Sequence, residues 1–271
     1  MINKGRFEKV FERPKPIIGM IHLLPMPGTP FYKGSMNEIV DRALSDARLL
    51  EEGYVDGILV QNRGDLAYTN DASEPIIVSA VTYVVSIIMR EISIPIGIHL
   101  LRNDIIGSMA ISKVCGAKFV RLAVPIGASY LPQGIIEGKP SQTLRERARL
   151  QSEDLILLTD IDSFHYNPLI PTPIEQLISN ILELRLADAF LVASENVRDV
   201  VMRVEQIKKI DPELKVMIGG FANETNLIDL ISKADGAIIG AAFEEKGRNT
   251  SVSREKVLRI MEKVHVFRKS L

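Results

Sequence analysis

A single closed (β/α)8 barrel, the TIM-barrel architecture, is the fold class this sequence predicts, and three observations predict it. Short apolar runs of strand length alternate with helical patterns eight times along the chain, the arrangement that buries a parallel sheet under helices. Five of those runs end in polar residues or glycines on the C-terminal side alone: Ile17 to His22, Ile58 to Asn62 and Asp65, Ile96 to Asn103 and Asp104, Leu155 to Asp160 and Asp162, and Val216 to Gly219 and Gly220. In a barrel the chemistry gathers where strands stop. No GxGxxG follows the first run, which argues against a doubly wound dinucleotide-binding sheet. The length of 271 residues, 46 % hydrophobic and 25 % charged, suits one barrel domain spanning 1–271.

The elements follow in order. Residues 1–15 are charged and lack an apolar core, so they read as an N-terminal arm or short helix beneath the barrel rather than a secretion signal. Strands are expected near 17–22, 56–61, 95–100, 118–123, 155–160, 189–193, 215–219 and 237–240. Ser35 and Glu38 have capping-box spacing before a helix whose left-handed terminal residue is expected at Gly53. Later helix starts are expected at Ser73 ahead of Pro75, Thr172 ahead of Pro173, Ser194, Asn223 and Ser253. The apolar stretch 76–89 is too short for a membrane span and reads as a helix on the sheet. Residues 124–140, rich in glycine and proline, form a long loop placed to cover the barrel mouth.

Charge and cysteine content narrow the partners. A net charge of −1 provides no general attraction for nucleic acid or anionic membrane. A single cysteine, Cys115, suits a reducing compartment and a cytoplasmic location. A small-molecule ligand is expected, with exposed barrel helices available for homo-oligomerisation.

Candidate site residues fall into three groups. Gly219 and Gly220 after the seventh strand, with Gly240 and Ala241 after the eighth, are expected to cradle a phosphate with backbone N–H groups. Asp160 and Asp162, two apart on a strand, are expected to share a face, with His165 reaching the same space. That cluster suits acid/base work or a divalent cation such as Mg²⁺, although no metal ligand is assigned. His22, Gln61, Asn62, Asp65, His99, Arg102, Asn103 and Asp104 stand at the ends of the first three strands, where amides and an arginine suit recognition of ligand hydroxyls. Helix capping is the competing reading for Asn103 and Asp104, and a core position the competing reading for His99. Three acids at strand entrances, Asp56, Asp188 and Asp235, recur in similar local sequences and read as structural. Arg145, Arg147 and Arg149 read as a solvated helix face.

The segments Pro16 to Gly28, Asn62-Arg63-Gly64-Asp65, Leu101-Arg102-Asn103-Asp104, Gln133 to Gly138 and the fifth strand ending at His165 resemble the BtpA/SgcQ family over nearly the whole chain. The resemblance implies a phosphate-binding TIM barrel of the ribulose-phosphate-binding type. It also implies a function in the range of nucleosidase-like or sugar-related enzymes, or photosystem I biogenesis in some cyanobacterial members. Asp160, His165, Asn62, Asp65, Asn103, Asp104 and Glu137 match its pattern, and Glu137 thereby joins Asp160 and His165 as a catalytic candidate. Gln61, Asp162, Phe164, Ala193-Ser194 and Ala241 depart from it. The expectation is an enzyme acting on a phosphorylated metabolite such as a phosphoribosyl compound or nucleoside phosphate, by isomerase, lyase or nucleosidase-like chemistry. A non-enzymatic assembly factor and a catalytically silent paralogue are the alternatives.

Overall fold

The computed structural model describes residues 5–70, 73–247 and 249–271, with the side chain of Asp162 outside that description. In chain order the elements are α1 (Arg6–Val10), β1 (Ile17–His22), α2 (Met36–Glu52), β2 (Gly57–Gln61), α3 (Pro75–Glu91), β3 (Ile96–His99), α4 (Ile105–Cys115) and β4 (Phe119–Leu122). A hairpin of β5 (Ala128–Leu131) and β6 (Gly134–Glu137) precedes α5 (Pro140–Arg149), β7 (Ile156–Ser163) and the two-residue β8 (Asn167–Pro168). Then come α6 (Ile174–Glu183), β9 (Ala189–Ser194), α7 (Val197–Ile210), β10 (Val216–Gly220), α8 (Leu227–Lys233), β11 (Gly236–Ile239) and α9 (Arg254–Arg268). Strands β1, β2, β3, β4, β7, β9, β10 and β11 close into one parallel barrel. This is the single (β/α)8 barrel that the alternation predicts.

The barrel interior is layered along its axis. Alternate residues of a strand face one side, and at the N-terminal end those inner residues include Ile18, Leu59, Phe119, Leu158, Leu191, Met217 and Ile238. Phe7 and Phe11 close this end from α1, with ring centroids 5.0 Å from each other and Phe11 5.4 Å from Phe119. Gly97 makes the layer possible, because a Cβ there would lie 2.1 Å from the Phe119 ring. Two residues further along the strands, or four beyond Ile18 on β1, the inner positions become His22, Gln61, His99, Arg121 and Asp160 on β1 to β7, and Ala193, Gly219 and Gly240 beyond. Five of these eight positions are polar and the other three are nearly bare backbone.

The strand-entrance acids explain the barrel's register. Asp56 accepts the Ile17 N–H at 2.7 Å, Asp188 the Leu157 N–H at 2.9 Å and Asp235 the Val216 N–H at 2.8 Å. Each carboxylate thus satisfies a donor in the first two residues of the neighbouring strand, and each meets a cation: Arg268, Arg6 and Lys208 respectively.

Several local expectations are corrected. The region 124–140 contains the β5–β6 hairpin, which pairs with β8 in a three-stranded antiparallel sheet. Gly53 has φ −81° and Tyr54 takes the left-handed conformation at φ 62°. Pro173 occupies the cap before α6, Asn196 rather than Ser194 caps α7, and Asn226 rather than Asn223 precedes α8. Ser73 gives its N–H to Asp104 while Glu74 precedes α3. Arg147 is buried, donating to the carbonyls of Glu153 and Leu155, so it does not belong to a solvated face.

Candidate active site

The barrel mouth holds a small cavity of about 70 Å³, lined by His22, Gln61, His99, Arg102, Arg121 and His165, with Arg63, Tyr166, Gly219, Gly220, Gly240 and Ala241. His22, at the end of β1, sets its Nδ1 2.6 Å from Glu244 Oε1, with both side chains buried. Glu244 reaches this place because the turn after β11 is pinned from three directions. It bridges to Val252, whose N–H is held by Asp46, and its carbonyl accepts from Lys256 at 2.7 Å. A carboxylate behind Nδ1 draws the ring proton to that side and leaves the Nε2 lone pair for the cavity.

Arg121 and Asp160 form a second buried pair. The guanidinium grips the carboxylate in a fork, Nε to Oδ1 at 2.9 Å and Nη2 to Oδ2 at 2.8 Å. Burial works against the guanidinium's charge, but the Asp160 carboxylate outweighs it and holds Arg121 above its ordinary range. Asp160 lines a separate, largely apolar cavity of about 690 Å³ beside α6, which meets the mouth at Tyr166. Both carboxylate oxygens of Asp160 thus hold Arg121, and Arg121 faces the mouth. Sequence reasoning passed over Arg121 because it sits inside an apolar run, and Glu244 because it lies five residues beyond the last strand. Period-two spacing along β4 from Phe119 was the available signal for Arg121.

His99 accepts a hydrogen bond at Nδ1 from Gln61 Nε2, at 2.8 Å. Burial, followed by the charges of Arg121, Arg102 and His165, holds its basicity well below the ordinary histidine value. Burial likewise pushes the Tyr166 phenol up to about 12, and its hydroxyl donates to the Arg102 carbonyl at 3.2 Å. Arg102 lies over the Tyr68 ring at 4.8 Å. His165 stacks against Phe164 with centroids 3.8 Å apart.

The other expected residues stand behind the mouth. Asn62 donates to Asp65 Oδ2 and accepts the Leu101 N–H, each at 2.8 Å, while Asp65 Oδ1 accepts the Met26 N–H at 2.8 Å. Asn103 pairs with both backbone groups of Val124 and with the Glu137 carbonyl. Asp104 caps α4 through the Gly107 N–H and holds Ser73. These four side chains tie the loops after β1 to β4 together and are not among the residues that line the cavity. Glu137 is exposed at the end of β6 and is not among the residues that line the cavity. A bulge in β7 sets Asp160 opposite Leu191 and Asp162 opposite Val192, which breaks the period-two argument for a shared face. The Asp162 side chain lies outside the described residues. Among the described residues no three His, Cys, Asp or Glu side chains converge for a metal ion, and no helix is long and apolar enough to cross a membrane.

The expected phosphate residues do converge. Gly219 and Gly220 meet Gly240 and Ala241 on the side of the cavity opposite the arginines of β4 and the loop after β3. Gly220 has φ +84°, a conformation that favours glycine, and a Cβ at Gly240 would sit 3.1 Å from His22 Cε1.

Residues 13–266 match the model of the BtpA family. The chain belongs to the BtpA family. An uncharacterized protein of Pyrococcus abyssi is 37 % identical over 257 residues, covering 94 % of this chain and 97 % of its own. The photosystem I biogenesis protein BtpA of Synechocystis is 32 % identical over 245 residues, covering 88 % and 84 %. Among solved structures, N-(5'-phosphoribosyl)anthranilate isomerase from Pyrococcus furiosus superposes with a TM-score of 0.56 at 13 % identity, covering 95 % of this chain and all of that one. At that identity the likeness is one of fold. This BtpA-family barrel thus shares its architecture with an enzyme whose name carries a phosphorylated substrate, while its mouth is furnished by its own residues.

Proposed function

We propose that this BtpA-family protein is an enzyme that binds a phosphorylated small metabolite in the barrel mouth and moves a proton on it, with His22 as the base. One observation carries the reading: a buried, carboxylate-oriented histidine shares a cavity with Arg63, Arg102 and Arg121 and with the side-chain-free backbone of β10 and β11. The carboxylates nearest the cavity are already committed, Asp160 to Arg121 and Glu244 to His22. The mouth therefore favours an anionic ligand. A phosphate seated at Gly219, Gly220, Gly240 and Ala241 would leave the rest of the metabolite between His22 and the arginines. His22 Nε2 then removes a proton while Glu244 stabilises the imidazolium that forms.

The reading also bears on the assembly role that the Synechocystis relative's name describes. A buried histidine held against a buried carboxylate at the edge of a cavity is the observation that favours catalysis here.

Inorganic phosphate is the first probe. A ligand at about 100 times its Kd stabilises by about 2.7 kcal/mol, or about 5 °C in Tm for a chain of this length. The expected result is a saturable Tm rise in the wild type and none in Gly220→Asp, whose carboxylate would enter the cradle. Indifference of the wild type to both inorganic phosphate and a set of sugar phosphates refutes the reading.

A further inference from the structure

His99 and His22 are oriented by different partners, and the difference fixes which atom of each ring carries the proton. Behind His22 stands a carboxylate, an acceptor only, so Nδ1 is the donor and Nε2 offers a lone pair. Behind His99 stands the Gln61 amide nitrogen, a donor only, so Nδ1 accepts and the proton lies on Nε2. That Nε2 is buried and meets no acceptor among the described residues, although the ring lines the cavity. A buried N–H without a partner is costly unless a ligand supplies the acceptor.

The register places the two rings as a pair. His22 stands opposite Gln61 and Gln61 opposite His99, in one row across β1, β2 and β3. Two strand spacings separate the outer members by about 10 Å between Cα atoms, and both rings line the same cavity. One ring offers a lone pair and the other an N–H.

We infer that His99 is a neutral hydrogen-bond donor to an oxygen that becomes negative during the reaction, and that the metabolite is therefore a phosphorylated carbonyl compound. Gln61 is the positioning residue that sets the tautomer. This rests on the proton-transfer reading of the mouth. In the step itself, His22 Nε2 takes the proton from the carbon next to the carbonyl. The C–H electron pair becomes the C=C bond, and the carbonyl π pair moves onto oxygen, where the His99 N–H receives it. Return of the proton from His22 to the carbon it left, or its delivery to the oxygen, discharges the enolate as the carbonyl compound or its enol. Where the carbon that lost the proton carries a hydroxyl, that hydroxyl's proton passes to the oxygen and its electron pair becomes the new C=O as His22 protonates the former carbonyl carbon. No oxidant, reductant or second reactant is consumed. A neutral imidazole suits such an oxygen, since its N–H stabilises developing charge without giving its proton away in the ground state.

The groups facing His99 are Gln61 on β2, Arg121 on β4, Arg102 after β3 and His165 after β7. The cationic neighbours disfavour a charged ring, in the same direction as burial.

The test is ¹⁵N NMR of the four histidines in the intact protein, with His99 assigned by its loss in His99→Gln. The expected result is a neutral ring protonated at Nε2 throughout pH 5 to 8. Gln61→Glu, which sets an acceptor behind Nδ1, is expected to move the proton to Nδ1 and bring His99 into titration within that range. A wild-type His99 that titrates with an ordinary histidine midpoint, or carries its proton on Nδ1, overturns the inference without touching the phosphate reading. With 2-phosphoglycolate as probe, the Nε2–H proton is expected to move downfield, and with inorganic phosphate alone to stay in place. An unmoved signal under 2-phosphoglycolate, in a protein that binds inorganic phosphate, overturns the donor role and leaves the phosphate site standing.

Discussion

Replacing Asp160 by asparagine separates two uses of that carboxylate, as a reacting group and as the support of Arg121. The pair is bidentate at 2.9 and 2.8 Å, with side chains only 8 % and 2 % exposed. Asparagine keeps the shape but removes the charge, leaving a buried guanidinium without a counter-ion. Removing one partner of a buried pair costs about 3–5 kcal/mol. With an unfolding entropy of about 0.57 kcal/mol/K for this chain length, Asp160→Asn should lose about 5–9 °C in Tm, read by calorimetry and checked by urea unfolding. The double variant Asp160→Leu with Arg121→Met should recover most of that loss, because two apolar side chains leave no orphaned charge. Asp160→Asn should also weaken phosphate binding, since Arg121 is no longer held toward the cavity. A variant within about 0.5 kcal/mol of wild type that binds phosphate normally but has lost turnover would refute this reasoning and return Asp160 to a direct acid/base role.

Three further outcomes are expected. Gly97→Ala drives a methyl to within 2.1 Å of the Phe119 ring and should destabilise by about 1–3 kcal/mol or more; chemical unfolding at wild-type stability would contradict the layered interior. Gly240→Ala puts a Cβ 3.1 Å from His22 Cε1 and 3.4 Å from Met20 Sδ, and should reduce phosphate affinity about tenfold in calorimetric titration while costing about 1 kcal/mol or less in stability; unchanged affinity would move the cradle elsewhere. His99 is held well below its unfolded value of 6.5, by burial first and by Arg121, Arg102 and His165 next, so the unfolded chain takes up the proton that the folded chain refuses. Its contribution is complete above about pH 6.5 and is lost as pH falls, with a slope approaching about 1.4 kcal/mol per pH unit. Urea unfolding of His99→Gln should show a flatter acid limb than wild type, and parallel limbs would exclude a buried neutral ring.

Most of the barrel was legible because strand burial is written locally. Seven of the eight expected strands lie within a residue of those observed, and the exception, β7, runs on to Ser163 past its bulge. Ser35 could be read as a cap because its hydroxyl accepts the Glu38 N–H, a bond spanning three residues. Asp56, Asp188 and Asp235 could be read as structural because each repeats the same offset from a strand start. The site was less legible, since its polar pairs join residues far apart in sequence. Glu244 meets His22 across 222 positions, and Arg121 meets Asp160 across 39. A carboxylate on a loop and an arginine inside an apolar run have no local pattern that announces their partners. Asn62, Asp65, Asn103 and Asp104 were conspicuous in the sequence for the opposite reason. They cluster at strand ends because loops there need side chains to satisfy backbone groups, and that demand leaves the same residue types as substrate binding does.

The aromatic plug beneath the barrel sets an order of events during synthesis. Phe7 and Phe11 leave the ribosome early, yet the surface that receives them includes Leu191, Met217 and Ile238. Ile18 must also wait for Ile238 before β1 gains its second neighbour. Ile238 follows Ile18 by 220 positions, which take about 10–40 s to translate. For that interval two phenylalanines and one edge of β1 stand open to solvent and to other nascent chains. The full surface that seats the plug exists only once Ile238 has been made, and a fluorophore placed at Phe11 would report when the plug docks.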